Sequence, residues 1–148
     1  MSLRKYCTEQ DRANELRAME AVCQKLRLTQ PGHTWAFQQC SDESPYDGIL
    51  LRDGKAHGIL EVRGRKGDPA KYDEWQTRKA KIDKLVRIAS QKGLVFVLVC
   101  TWDDKVFMGL PARVFNTWKT RMGGRIDRGD PSDWEPMYLM PRNHFEAV

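Results

Sequence analysis

The chain has 148 residues, a length that fits one domain, so we expect a single domain over residues 1–148. Its composition, 41% hydrophobic and 30% charged, suits a soluble protein with a core, and its net charge of +5 favours a polyanionic partner. A membrane or secreted protein is not expected, because apolar runs stay short of the ~18 residues that cross a bilayer and the first residues lack a signal peptide's apolar segment. We therefore expect a cytoplasmic protein with no membrane partner.

The first predicted elements are a helix from Thr8 to Leu28 and a strand from His33 to Cys40. Apolar residues recur along the helix at spacings of three or four, which makes one stripe for packing. This stripe contains Leu16, Met19, Cys23 and Leu26. The strand is rich in aromatic residues, which suits a half-buried pleated surface.

Residues 44–66 are typical of two short strands joined by a tight turn at Asp53-Gly54, because glycine adopts the positive φ that a two-residue hairpin turn requires. Each strand carries one acid among apolar residues. Asp47 begins the first strand, and Glu61 interrupts the apolar run of the second. An ionised carboxylate beside core residues is costly unless something pairs with it. Two such acids on adjacent strands therefore indicate a site for a divalent cation such as magnesium.

A long helix is predicted from Lys71 to Lys92, and Gly93 is its stop signal. Its apolar face contains Trp75 and a series at helical spacing from Ile82 onward. The other face is cationic. Its members are Arg78, Lys79, Lys81, Lys84 and Arg87.

The run from Leu94 to Trp102 is continuously apolar, as in a strand that is buried on both faces. The helix before it is then the crossover of a parallel strand pair. The segment from Lys105 to Leu110 is predicted as a further strand, and Ala112 to Met122 as a short helix. A glycine-rich, charged loop over residues 123–133 leads to an edge strand from Pro136 to Pro141, since edges tolerate proline.

The cysteines indicate free thiols rather than a zinc site or disulfides. They form no Cys-x-x-Cys pair, and they sit among apolar neighbours. The four are Cys7, Cys23, Cys40 and Cys100. We expect them to be buried thiols in a reducing compartment.

Pro45-Tyr46-Asp47 followed by Glu61-Val62-Arg63 resembles the motif of the PD-(D/E)XK nuclease superfamily, in which an acid on one strand precedes an acid-x-lysine on the next. The resemblance is to its small, phage-type members. It implies an α/β, restriction-endonuclease-like fold with an αβββαβ core and a central mixed sheet flanked by helices. To this core we add a small C-terminal strand and loop extension. The resemblance also implies a phage or a bacterial host as the source.

The resemblance further implies a metal-dependent nuclease that hydrolyses phosphodiester bonds in DNA. Mg²⁺ (or Mn²⁺) would be held by Asp47, Glu61 and the carbonyl oxygen of Val62, since such cations prefer oxygen ligands. In many members a glutamate on the helix before the first strand assists the metal site. Glu15 matches that residue, with Glu20 as the second choice. The alternative is that both glutamates belong to the solvated surface of the helix.

Arg63 stands where the superfamily has its catalytic lysine. Side chains alternate along a strand, so Glu61, Arg63 and Arg65 share one face and the arginine projects towards the predicted metal site. Arginine supplies charge but cannot serve as a general base. The arginine could act as a stabiliser, a lysine could reach in from elsewhere, or the site could be inactive and only bind. The candidate lysines are Lys66, Lys79 and Lys81.

Contacts with DNA phosphates are expected from Arg65, Lys66, Lys79 and Lys81. The resemblance implies that the predicted helix, which carries Lys79 and Lys81, borders the nucleic-acid groove. An ordinary solvated charged face is the alternative. A domain of this size offers little area for reading sequence. We therefore expect weakly specific or structure-selective cutting, or a homodimer that doubles the contact surface.

Two hypotheses from other classes compete with the nuclease. A non-catalytic nucleic-acid-binding module of the same fold would bind DNA without turnover. A protein-interaction domain would have an ion pair of Arg63 with Asp47 or Glu61 in place of a metal, and it would show no salt-dependent binding of DNA.

Overall fold

The computed structural model describes residues 9–124 and 134–148. These residues contain two α-helices, α1 (Glu9–Thr29) and α2 (Lys79–Lys92). The larger sheet is formed by β1 (Trp35–Gln39), β2 (Gly48–Arg52), β3 (Lys55–Arg65), β5 (Val95–Trp102), β6 (Lys105–Gly109) and β9 (Glu146–Ala147). The smaller sheet is formed by β4 (Glu74–Arg78), β7 (Lys119–Gly124) and β8 (Trp134–Pro141).

The larger sheet is mixed. Its strand order is β1-β2-β3-β5-β6-β9, and β3 and β5 are parallel while their other neighbours are antiparallel. Because α2 lies between β3 and β5 in the chain, it forms the crossover that a parallel pair requires. The order α1, β1, β2, β3, α2, β5 confirms the predicted αβββαβ core around a mixed sheet.

The β2–β3 hairpin turns at Asp53-Gly54, as predicted. The two residues have positive φ angles of 54° and 80°, and Arg52 pairs with Lys55 across the turn. The register shifts by one residue between Leu50 and Leu51, and the pairing then continues to Gly48 opposite Leu60. As a result, Asp47 and Glu61 both reach the open end of the hairpin, away from the turn.

Helix α1 packs on one face of the larger sheet, and its buried stripe differs from the predicted one. Met19, Cys23 and Leu26 are buried as expected, but Leu16 is 44% exposed. Glu15, which is 7% exposed, takes its place in the buried stripe. A pattern of apolar residues alone misses this buried acid. Neither helix of the described ranges combines the length and the apolarity needed to span a bilayer.

The predicted helix from Lys71 to Lys92 is wrong in its first part. Glu74–Arg78 form β4, and α2 begins only at Lys79. Buried and outward side chains alternate along this strand, with Trp75 and Thr77 turned inward. A period of two is that of a strand, whereas helical spacing begins only in α2.

The short helix predicted from Ala112 to Met122 is also wrong. Two 3₁₀ turns, Pro111–Arg113 and Phe115–Thr117, are followed directly by β7. Trp118 is buried, as a packing residue should be, but it lies between the second turn and the strand. The pairing of β7 with β8 determines the structure here, and this pairing is not visible in the local pattern.

Strand β8 is the centre of the smaller sheet rather than an edge strand. It pairs with β4 on one side and with β7 on the other. Its two prolines lie where only one neighbour is present, since Pro136 faces Met122 of β7 and Pro141 faces Glu74 of β4. Each missing N–H is therefore tolerated. Residues 125–133 of the predicted loop lie outside the described residues.

Helix α2 and the smaller sheet cover the other face of the larger sheet. The core between them is aromatic: the ring centroid of Trp75 lies 5.4 Å from that of Trp102, 5.3 Å from that of Phe107 and 5.1 Å from that of Phe145. The described residues thus form three layers, with the larger sheet in the middle. This covered face also carries the acids of the hairpin.

The described cysteines are free thiols. Cys23 and Cys100 are buried as predicted, whereas Cys40 is partly exposed. Burial raises the pKa of Cys23 to about 11 and that of Cys100 to about 12. Neither is therefore a reactive thiolate at neutral pH. Cys7 lies outside the described residues.

Gly58→Ala should destabilise the fold. Gly58 pairs with Val95 across β3 and β5, and a Cβ atom added to it would stand 2.8 Å from the Val95 carbonyl oxygen. Because a backbone atom cannot rotate away, we expect a loss of ~1–3 kcal/mol in the free energy of unfolding, measured by urea denaturation. Gly32→Ala is the matched control, since a Cβ atom there meets nothing within 4 Å. Equal stabilities of the two variants would contradict this account.

Candidate active site

The candidate site forms where β2 and β3 separate. Their pairing ends with Gly48 opposite Leu60. The preceding residue, Asp47, turns its side chain into the gap, where its Oδ2 accepts a hydrogen bond of 2.7 Å from the Val62 N–H. The carboxylate thus takes the place of a strand partner, and this fixes its position. Since the N–H and C=O of one strand residue point to the same side, the Val62 carbonyl oxygen faces the same gap.

Asp47 and Glu61 share the face of the larger sheet that α2 covers. Gly48 lies against the Met19 side chain of α1, and Leu60 packs in the core beneath α1. Because side chains alternate along a strand, the neighbouring Asp47 and Glu61 point the other way. Each of the two acids is only 4% exposed.

Burial dominates the electrostatics of Glu61. It raises the pKa of Glu61 to about 8, while the positive charges of Arg63 and Lys81 oppose this rise and the Asp47 carboxylate adds to it. Within the described chain, Glu61 Oε1 has no hydrogen-bond partner. A buried carboxylate with a raised pKa and an unpartnered oxygen is typical of a functional site.

Two cations flank the same oxygen of Glu61 without hydrogen bonding to it. Arg63 Nε lies 3.7 Å and Lys81 Nζ 3.9 Å from Glu61 Oε2, beyond hydrogen-bond distance. Lys81 Nζ donates instead to the Pro45 carbonyl oxygen at 2.7 Å. Among the described residues, Arg63 Nε and Nη2 are buried without a hydrogen-bond partner. The Glu61–Arg63 ion pair that the sequence allows is therefore a loose contact.

The residues present suit a divalent metal ion. Asp47 and Glu61 offer carboxylate oxygens, Val62 offers a carbonyl oxygen, and Glu61 Oε1 has no partner in the described ranges. Magnesium prefers such oxygen donors and usually keeps several waters as its remaining ligands. Residues 9–124 and 134–148 contain no cluster of three or more His, Cys, Asp or Glu side chains that could hold a metal. An ion here would depend on two carboxylates, a backbone oxygen and water.

Glu15 lies on the opposite side of the sheet from Asp47. It is buried on α1 and accepts a hydrogen bond of 3.2 Å from Gln39 Nε2. Gln39 pairs with Gly48, on the face that α1 covers. Glu15 is thus not solvated helix surface, and its assistance to a metal stays a prediction. The second choice, Glu20, is partly exposed and forms an ion pair with an arginine of α1.

The four residues predicted to contact DNA lie in different settings. Arg65 is partly buried on the face of the sheet that bears the site, and Lys66 is exposed just beyond it. Lys79 begins α2 and forms an ion pair of 2.5 Å with Asp83. Lys81 points inward to the candidate site rather than outward with the rest of the cationic face. Contact of these residues with phosphates stays a prediction.

Sequence reasoning misses part of the backbone contribution to the site. Pro45 contributes a carbonyl oxygen that anchors Lys81, and Val62 contributes an N–H that fixes Asp47. Every residue carries a backbone carbonyl and nearly every residue a backbone N–H, so the amino-acid sequence does not single out these two groups. These backbone groups can be identified only from the structure, in which the pairing of β2 with β3 ends at Gly48.

The raised pKa of Glu61 predicts a pH-dependent cost of folding that Glu61→Gln removes. Between the ordinary pKa of 4.5 and about 8, the folded protein keeps a proton on Glu61 whereas the unfolded chain has released it. Stability from this group therefore falls as the pH rises through this window. In chelator, the stability of Glu61→Gln relative to wild type should increase from about pH 5 to about pH 9.

Urea denaturation over this pH range measures the difference. Glu20→Gln is the matched control, because Glu20 is a partly exposed glutamate whose removal should give no such growing difference. A difference for Glu61→Gln that stays constant with pH would show that Glu61 does not hold a proton in the folded protein.

Comparison with known proteins assigns the family. A family model described as "phage putative PDDEXK endonuclease" matches residues 1–148. No curated protein gives a significant match. Among solved structures, the chain is similar to Hjc, a Holliday junction resolvase from the archaeal hyperthermophile Archaeoglobus fulgidus. The TM-score is 0.47 and the sequence identity is 13%, and the match covers 81% of this chain and 88% of the resolvase chain. Since the family model covers all 148 residues, the predicted resemblance is confirmed, and the chain belongs to the family of phage PDDEXK endonucleases.

Proposed function

We propose that this chain is a metal-dependent deoxyribonuclease that hydrolyses phosphodiester bonds. The observation that carries the proposal is the pair of buried carboxylates, Asp47 and Glu61, at one gap in the sheet. Burying like charges together is costly, and such arrangements concentrate at functional sites. Membership of a nuclease family makes phosphodiester hydrolysis the reaction that this arrangement would serve.

Asp47, Glu61 and the Val62 carbonyl oxygen would hold Mg²⁺ or Mn²⁺. When bound, such an ion polarises a phosphoryl oxygen and lowers the pKa of a bound water. The Val62 N–H fixes the orientation of Asp47 independently of any ion. Glu61 would be ionised in this state, and the charges of Arg63 and Lys81 would offset its charge.

In our proposal Lys81 takes the role of the superfamily lysine, and Arg63 supports it with charge. Lys81 Nζ lies 3.9 Å from Glu61 Oε2, and burial lowers the pKa of Lys81. A lysine with a lowered pKa exchanges protons far more readily than an arginine, which stays charged. Lys81 would orient the attacking water, and Arg63 would stabilise the negative charge that develops on the phosphate.

DNA would lie along the face that continues from Glu61 through Arg63 to Arg65. Every second residue of β3 points to this side, so the cations follow one another at intervals of roughly 7 Å. Lys66 and Lys79 would border this path. Such cations neutralise backbone phosphates without reading the sequence.

A phage enzyme of this kind would act in the cytoplasm of the bacterial host. A homodimer would double its contact with DNA.

A second candidate function is DNA binding without cleavage. Arg63 and Lys81 bring two positive charges beside Glu61, as many as a divalent metal ion carries. In that function the two side chains would neutralise the acids permanently and would take the place of a metal. The metal dependence of cleavage separates the two candidates.

Cleavage of several forms of DNA tests the nuclease. Supercoiled plasmid, linear duplex, single-stranded DNA and branched DNA are incubated with the protein in Mg²⁺, Mn²⁺ or chelator. We expect cutting only with metal, and a rate lower by about 100-fold or more for Asp47→Asn and Glu61→Gln, because each removes a charge that holds the ion. Glu20→Gln should cut like wild type. Binding of DNA without cutting in any metal would establish the second candidate function instead.

The assignment of the lysine role has its own test. Lys81→Met keeps the length of the side chain and removes the ammonium group, and we expect a rate lower by about 100-fold or more. Lys84→Met is the control, because Lys84 is exposed on the same helix. Arg63→Lys should retain cutting, since it keeps the charge. Full activity of Lys81→Met together with loss of activity in Arg63→Ala would assign the role to the arginine.

A further inference from the structure

A cavity of about 480 Å³ opens at the end of β3, where Arg65 is part of its lining. It lies between the ends of β3 and β5 in the larger sheet and the strands of the smaller sheet. Arg65 and Trp102, which pair with each other across β3 and β5, form one wall. Tyr72, Gln76 and Arg121 contribute to the other walls. A volume of this order falls in the range of pockets that bind small ligands.

One strand, β3, links the cavity to the candidate active site. Glu61, Arg63 and Arg65 alternate on the same face of β3, so Arg65 stands four residues beyond Glu61. Four residues of a strand span roughly 13 Å. This distance places the cavity within reach of a nucleotide close to the one whose phosphate occupies the site.

The cationic side chains of the cavity suit a phosphate group. Burial lowers the pKa of Arg65, and within the described chain its guanidinium makes no ion pair with an acid. Arg121 is exposed at the mouth. Asp73 and Glu74 also lie on the rim, so the site carries hydrogen-bond acceptors as well as cations. A ligand with both an anionic part and donor groups fits this combination, and a nucleotide has both.

The aromatic side chains of the cavity suit a base. Tyr72 is 55% exposed, and the Lys71 ammonium group lies 5.4 Å from the centre of its ring. Trp102 is 6% exposed, and its Nε1–H has no hydrogen-bond partner in the described part of the protein. The neighbouring Trp75, by contrast, donates its Nε1–H to the Pro69 carbonyl oxygen at 3.1 Å. A base offers a face for stacking and ring nitrogens or carbonyl oxygens that accept such a donor.

We infer that this cavity binds one unpaired nucleotide of the DNA substrate. A base inside a duplex is stacked and paired, so it cannot enter a concave pocket, whereas an unpaired or flipped base can. The substrate class is then DNA with an unpaired position near the cleaved bond. This inference deepens the proposed function and rests on DNA being the substrate.

Binding in chelator tests the inference without cutting the DNA. The probe is a duplex with one extra, unpaired 2-aminopurine nucleotide, compared with the same duplex fully paired. Wild type should bind the probe about tenfold more tightly, and the 2-aminopurine fluorescence should change on binding, because base–aromatic stacking is strong. Tyr72→Ala should abolish most of this preference, and Trp102→Phe should lower it by about fivefold through loss of the Nε1–H donor. Both variants should bind the paired duplex like wild type.

Lys92→Ala is the control, because Lys92 is an exposed cation at the far end of α2 and its loss should leave the preference unchanged. Thermal unfolding checks the fold of each variant. Since Tyr72 is exposed, its variant remains decisive even where Trp102→Phe does not fold. Equal affinity of wild type for both duplexes, or a preference that Tyr72→Ala retains, would overturn the inference.

Parallel cleavage assays keep the two proposals apart. A protein that cuts DNA with metal but shows no preference for the unpaired nucleotide would refute nucleotide binding in the cavity and support the nuclease function. If wild type shows the preference, Tyr72→Ala lacks it and neither protein ever cuts, nucleotide binding in the cavity would be supported and the nuclease function refuted.

Discussion

The cost of burying two carboxyl groups in one gap of the sheet is the constraint on which the rest of the structure depends. Asp47 and Glu61 are almost completely buried, and the Asp47 carboxylate disfavours ionisation of Glu61. Asp47 is compensated within the hairpin by the Val62 N–H. Glu61 depends on Arg63 from its own strand and on Lys81 from α2. The hairpin alone therefore cannot support the site, because part of the compensating charge comes from another layer.

The smaller sheet fixes the position of that charge. Tyr138 of β8 donates a hydrogen bond to Asp83 Oδ1, and Lys79 pairs with Asp83 Oδ2. The Lys79 ammonium group also lies 5.2 Å from the centre of the Tyr138 ring. These contacts join β8 to the first turn of α2, the turn that carries Lys81. The smaller sheet thus contributes to the candidate site by holding α2 in place.

Features that depend on neighbours in the sequence could be predicted, whereas the smaller sheet, in which β4 and β7 pair with the distant β8, could not. The turn at Asp53-Gly54 and the alternation that aligns Glu61 with Arg63 both follow from a few adjacent residues. Strand β4 escapes prediction because it is short, directly precedes α2, and pairs with a strand far along the chain. The charge pattern places Lys81 on the outward face of the helix. Its neighbour one turn later, Leu85, is fully buried, so Lys81 lies at the border and can turn inward.

The distribution of unpartnered polar atoms shows what the two faces of the larger sheet do. Within the described residues, the buried side-chain atoms without a hydrogen bond are Glu61 Oε1, Arg63 Nε and Nη2, Thr77 Oγ1 and Trp102 Nε1. All of them lie where the larger sheet meets α2 and the smaller sheet, and none lies beneath α1. Because each unpartnered buried group costs ~1–3 kcal/mol, a layer that served stability alone would not collect them. Polar atoms of a ligand would satisfy such groups, and Glu61 and Trp102 stand on the same face of the adjacent strands β3 and β5.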